Sequence, residues 1–183
     1  RFYGFHTKVE WDKKDEWHGR IQTADGKDFI FMSRKPLHAD DVKVYIHGGV
    51  CYIAHDAVPK NASIVNHYKV IIPRSGNPGG SIIGKPKLSE PNSCSSNSYV
   101  VAFPPDSLLN KSQANNVIDY IKTKFFRYLV SIKTSTQDMP PKAYEFVPLQ
   151  DFSKKWTDKD LYEKYDLTEQ EIQTIENTIP SID

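Results

Sequence analysis

Residues 113–133, QANNVIDYIKTKFFRYLVSIK, form the stretch that leaves the chain least choice. Val117, Ile118, Ile121, Phe125, Tyr128, Leu129 and Ile132 recur at helical spacing, which predicts one long amphipathic helix. Asn110 or Ser112 supplies a side-chain oxygen to cap its start. Lys122, Lys124, Arg127 and Lys133 make its second half basic. A Gly/Pro/Ser-rich stretch lies before it and an acidic tail after it.

The remaining elements are short. Val42–Ile46 and Val50–Ile53 flank His47-Gly48-Gly49, a hairpin signal because tight turns need residues that tolerate positive φ. Tyr68–Ile72 and Tyr99–Phe103 read as strands, ended by Pro73 and by Pro104-Pro105. A short helix is expected within 59–67, begun near Asn61 or Ser63, and a short strand at Ala143–Val147. Trp11 and Trp17 fall in a charged segment, at the core edge or partly exposed. Thr157-Asp-Lys-Asp160 and Thr168-Glu-Gln-Glu171 have the spacing of capping boxes and predict two short tail helices. The sum is an α+β fold: short antiparallel or mixed strands with a β-hairpin, packed on one long helix, plus two short C-terminal helices. The expected organisation is a single domain over 1–183 with an acidic helical appendage from 156.

Charge is unevenly spread. The net charge is +1, but residues 66–155 hold 12 Lys/Arg against 6 Asp/Glu, and residues 156–183 hold 2 against 8. A basic middle in a neutral chain points to a local anionic partner. Between His67 and Asp106 there is one acid, Glu90. Around it stand Lys69, Arg74, Lys85 and Lys87, interleaved with Ser75, Asn77, Asn92, Ser93, Ser95, Ser96 and Asn97. Lys and Arg neutralise phosphates and release counterions. Ser and Asn bond phosphates and base edges. These residues, with Lys122, Lys124 and Arg127 on the helix, are the expected DNA-binding set, and the long loop 74–98 is its centre.

Several chemistries are excluded or disfavoured. Gly79-x4-Gly84-Lys85 begins like a phosphate-binding loop, but Pro86 stands where a Ser or Thr must meet Mg²⁺ and start a helix. No Gly-x-Ser-x-Gly occurs. Asp106 lacks the downstream acid-x-Lys pair of a metal-dependent nuclease, and Asp12-Lys13-Lys14 reads as a solvated turn. Six scattered histidines and two cysteines, Cys51 and Cys94, show no metal-ligand spacing. The expectation is no catalytic and no metal residue, and two reduced thiols. No apolar run approaches the ~20 residues of a membrane span, so a cytoplasmic chain is expected. Arg1, in place of Met, suggests a fragment or a processed form.

Finally, KVIIPRSG (69–76), GKPKLSEPNS (84–93), SYVV (98–101), IKTKFFRYLVSIKTSTQD (121–138), YEFVPLQDF (144–152) and WTDKDLYEKYDLTEQEI (156–172) resemble the C-terminal region of bacterial adenine-specific DNA methyltransferases of type II restriction–modification systems. Residues 1–68 match more loosely, through Tyr3-Gly4-Phe5 and the hairpin. The resemblance implies a target-recognition domain for double-stranded DNA. Its S-adenosylmethionine-binding catalytic domain, and in some members a nuclease, would belong to the parent enzyme. The Gly-rich cofactor motif and the Asn-Pro-Pro-aromatic motif are absent, since Asn77-Pro78-Gly79 lacks the second Pro and the aromatic. No cofactor is therefore expected in this chain, whose partners would be DNA and the parent's catalytic domain. A protein-interaction module without nucleic-acid binding is the competing reading.

Overall fold

The computed structural model describes residues 5–14, 17–23, 25–77, 80–102, 108–134 and 136–182, with 5–7 by backbone alone. Pro104-Pro105, Pro78-Gly79 and Tyr3-Gly4 lie outside the described residues. Among the described residues, nine strands in two sheets and four α-helices make the fold α+β. The chain divides into two compact units. One comprises Arg1–Ile71 with Ser89–Leu108, the other Ile72–Leu88 with Leu109–Asp183. The tail helices belong to the second unit together with the helices before them, so no division falls at 156.

In the first unit, β1 (Phe5–Trp11), β2 (His18–Thr23) and β3 (Phe29–Ser33) pair antiparallel in sequence order. The hairpin of β4 (Val42–Ile46) and β5 (Gly49–Ile53) forms as expected, except that His47 and Gly48 make the turn and Gly49 already pairs with Ile46. Only Gly48 takes a positive φ, 77°, so one glycine supplies the freedom the turn needs. Residues 59–67 give a single 3-10 turn, Ala62–Ile64, after Asn61.

The chain continues through β6 (Lys69–Pro73), β7 (Lys87–Ser89), β8 (Ser93–Ser95) and β9 (Tyr99–Ala102). The larger sheet runs β1-β2-β3-β5-β4-β8, with β4 and β8 parallel; the smaller runs β7-β6-β9. The boundary between the units falls inside β6 and β7. Alternation puts Ile21, Met32, Val42, Val44, Cys51 and Ile53 on one buried face of the larger sheet. Each such side chain contributes about 1.5–3 kcal/mol by leaving water. Gly19 lies so close to β1 that a Cβ would sit 2.5 Å from the Glu10 carbonyl oxygen, so no larger residue fits there.

The second unit corrects the expected long helix. There are two: α1 (Lys111–Lys122) and α2 (Lys124–Lys133). Thr123 breaks them apart in an extended conformation with ψ 150°. Its hydroxyl donates to the Tyr120 carbonyl at 2.7 Å and accepts from the Phe126 N–H at 3.1 Å, closing one helix and opening the next. Asn110 caps α1 in a reciprocal box with Gln113. The break rotates the apolar stripe: Phe125, Phe126 and Val130 are buried, while Ile132 is exposed.

The helices α3 (Asp158–Lys164) and α4 (Glu169–Thr178) start at the two expected capping boxes. Phe125 stacks on Tyr165 at 5.1 Å, and Asp158 accepts from the Phe125 N–H at 2.8 Å, a carboxylate at the start of α2. The strand expected at 143–147 is absent. A 3-10 turn, Pro141–Tyr144, takes its place, because proline at its first position fixes φ and cannot donate to a ladder. Among the described residues no helix is long and apolar enough to cross a membrane, and no cluster could hold a metal ion.

Candidate nucleic-acid interface

The stretch 74–98 is not one loose loop. It holds two strands, and the chain passes from the second unit to the first within it. The fourteen candidates therefore fall into two groups, described separately.

In the second unit, backbone hydrogen bonds tie down residues on both sides of 78–79. Gly76 N–H donates to the Gln137 carbonyl at 2.7 Å and Met139 N–H to the Arg74 carbonyl at 2.8 Å. Asn77 and Ile82 exchange both of their backbone bonds, at 3.0 and 2.9 Å. Gly76 permits the close approach, since a Cβ there would meet the Ile82 oxygen at 2.4 Å and the Met139 side chain at 2.5 Å. Arg74 adds a two-pronged bond to Asp138, at 2.6 and 2.9 Å. That guanidinium holds the Asp138 carboxyl below the usual carboxylate range.

This frame leaves Ser75 and Asn77 exposed at alternate positions around half-buried Gly76. Lys85 and Lys87 are likewise exposed around buried Pro86. Exposure at these alternate positions places Lys85 and Lys87 on one side of the segment. Lys85 has no ion pair among the described residues.

The helix candidates are committed to the fold. Arg127 is 1% exposed, and its guanidinium donates to the carbonyls of Lys122 (3.2 Å), Thr123 (3.3 Å) and Pro180 (2.7 Å). A cation at the C-terminal carbonyls of α1 is where the helix dipole favours one. Lys124 bridges to α4 through the Glu176 carboxylate at 2.6 Å. Lys122 is half-buried and forms no ion pair among the described residues. The expected phosphate-holding face of the helix thus reduces to Lys122.

In the first unit, Lys69 is 1% exposed, and its ammonium donates to the carbonyls of Val65 at 3.2 Å and His67 at 2.9 Å. Burial lowers its pKa to about 8. Asn92, at φ 58°, donates to the Asp41 carbonyl at 2.9 Å and fixes a turn. Ser93 is buried, bonded to Ser89 at 2.7 Å and to the Glu90 carbonyl. Buried Ser96 accepts from the Ser98 N–H at 3.4 Å. Ser95 Oγ, Asn97 Oδ1 and Ser98 Oγ are buried with no hydrogen-bond partner among the described residues.

Comparison with protein-family models, with curated proteins and with solved structures returned no match. The geometry therefore stands alone. Of the fourteen candidates it leaves Ser75, Asn77, Lys85 and Lys87 presented to solvent on one well-tied frame, and it turns Lys69, Arg127 and Asn92 into structural groups.

Sequence reasoning missed the outer face of β1–β3. His18, Arg20 and Gln22 alternate with Gly19, Ile21 and Thr23, and Phe29 and Phe31 alternate with Ile30 and Met32. The polar alternation in β2 was a usable signal. In β3 all four of Phe29, Ile30, Phe31 and Met32 are apolar, so period alone could not say which pair faces water.

Proposed function

We propose that this chain is a DNA-recognition module, the target-recognition part of an adenine-specific DNA methyltransferase, with the chemistry left to a catalytic domain that binds S-adenosylmethionine. The observation that carries the DNA reading is the pair Lys85 and Lys87, exposed around buried Pro86 in a stretch with a single acid. Phosphates would meet these ammonium groups, and Ser75 and Asn77 offer donors and acceptors to phosphate or base edges. The methyltransferase assignment rests on the resemblance through most of residues 69–179. Such an enzyme works in the bacterial cytoplasm.

Binding of the full chain to a set of duplexes, followed against salt, tests the reading. Each phosphate contact contributes about 0.9 to the slope of log K against log salt. Changing Lys85→Ala and Lys87→Ala together should flatten the slope by about 2. Absent or salt-insensitive binding would overturn the proposal and favour a protein-interaction module.

A further inference from the structure

We infer that the outer face of β1–β3 is a second, separate binding surface, one that stacks unpaired bases of single-stranded nucleic acid. The proposal does not depend on the duplex reading, since it uses none of its residues.

The face is built from one cross-strand row and its neighbours. Glu10, Arg20 and Phe31 are direct partners across the three strands, and His18 and Phe29 lie two residues away on the same side. Phe31 is 57% exposed, a large apolar ring turned to solvent. The His18 ring lies 5.3 Å from it at a 30° tilt. Arg20 sits 4.5 Å over the Phe29 ring, and Lys8 approaches the same ring at 5.3 Å. At the end of the ladder, Trp17 is 51% exposed with Lys35 4.3 Å over it. A depression of about 530 Å³ lies along this face, lined by His18, Arg20, Phe29 and Phe31 and by two acids, Glu10 and Asp12, the latter accepting from the Lys14 N–H at 2.7 Å.

Arg20 and Lys8 lie over Phe29, Lys35 lies over Trp17, and Arg20 is the direct cross-strand partner of Phe31, and this pairing of rings with cations decides the occupant. Exposed aromatic rings favour flat apolar partners. Cations beside each ring favour an anion next to each flat group. An unpaired nucleotide has that make-up, a π-faced base beside a phosphate. A duplex does not offer its base faces, because they are stacked on one another. Glu10 does not reverse the sign, since both Arg20, at 2.6 Å, and Lys8, at 3.2 Å, neutralise it. Their bonds hold its carboxyl below the usual range, so it is charged and paired.

The test uses the full chain and a labelled oligothymidylate of about 15 nucleotides, with an abasic strand of equal length as the comparison. The oligothymidylate should bind more tightly than the abasic strand and quench tryptophan fluorescence. Phe31→Ala should weaken its binding about tenfold, and Phe31→Trp should restore it. Phe31 is exposed, so both variants should keep the wild-type circular dichroism. The Lys85→Ala and Lys87→Ala variant should bind the oligothymidylate as wild type does, and Phe31→Ala should keep the duplex salt slope. Equal affinity for the abasic strand, no affinity for either strand, or an unchanged Phe31→Ala would each overturn the inference. None of these outcomes bears on the duplex proposal.

Discussion

Arg127 donates through Nη1 to the carbonyl oxygen of Pro180 at 2.7 Å, joining α2 to a residue 53 positions further on. The same guanidinium collects the last carbonyls of α1. A buried cation held by carbonyls alone is expensive to remove, because its acceptors are left without donors. Arg127→Met should destabilise the chain by about 2–4 kcal/mol in urea unfolding. Arg127→Lys should recover little, since an ammonium cannot reach three acceptors with a planar fork. Hydrogen exchange at the Ile179 amide should speed up in both variants. Unchanged exchange there would mean that Pro180 is held by something else.

Thr123→Ala should cost about 1–2 kcal/mol, the usual loss for an N-cap hydroxyl. Asp158→Ala touches the neighbouring Phe125 N–H. The two losses should not add, because both side chains serve the first turn of α2. A double-mutant cycle with zero coupling would contradict this.

Lys69 gives the chain a pH signature. Burial holds its ammonium at about 8 against an ordinary 10.5. Between these two values the unfolded chain binds more protons than the folded one, so this group makes stability rise with pH. Below pH 8 both states are charged, and the folded state carries the desolvation penalty in full. Cys51 and Cys94, pushed up to about 12 by burial, act in the opposite direction above about pH 9. The useful quantity is therefore the difference between Lys69→Met and wild type. The stability of the variant relative to wild type should fall by about 2–3 kcal/mol from pH 7.5 to 10.5. A flat difference would show that Lys69 titrates normally.

Cys51 and Cys94 are both register partners of Val44, on β5 and β8, one to each side. Two strand spacings separate them, about 10 Å, beyond the reach of a disulfide. The native chain should keep two free thiols under mild oxidant. Both should resist a thiol reagent until urea unfolds the first unit, as mass spectrometry can follow.

Asp138→Asn would release Arg74 from the carboxylate that engages it. If duplex DNA binds the 74–87 frame, this variant should bind several-fold more tightly at low salt and show a steeper salt slope. Weaker binding would mean that the ion pair matters for holding the frame.

Local rules made much of the fold legible. The two tail helices announced themselves through Thr157 and Thr168, because a capping box is a contract between residues three apart. The β4–β5 hairpin and the strand at 69–73 were readable from short apolar runs between turn residues. The break at Thr123 was not. A single extended residue keeps Val117, Ile121 and Phe125 near helical spacing, so the apolar pattern runs across it unbroken. At 143–147, apolar alternation suggested a strand, but Pro141 had already set a turn.

The candidate site was legible in composition and illegible in geometry. Sequence could show that 74–98 is basic and rich in Ser and Asn. It could not show that Arg74 finds an acid 64 residues away, or that Arg127 points into the core. Those depend on long-range packing, which no local pattern encodes.

The crossings inside β6 and β7 have a genetic consequence. Each unit is assembled from two separate segments of the chain, so no single cut yields either one intact. A protease nick within 77–82 would leave fragments that each hold part of both units. For the same reason, a gene could not trade one unit for a homologous one by a single crossover. Exchange of the second unit with its own contacts intact requires both 72–88 and 109–183 to travel together, whereas the exposed side chains at 75, 77, 85 and 87 can change one codon at a time. Substitution, and not shuffling, is the route by which this surface would diverge.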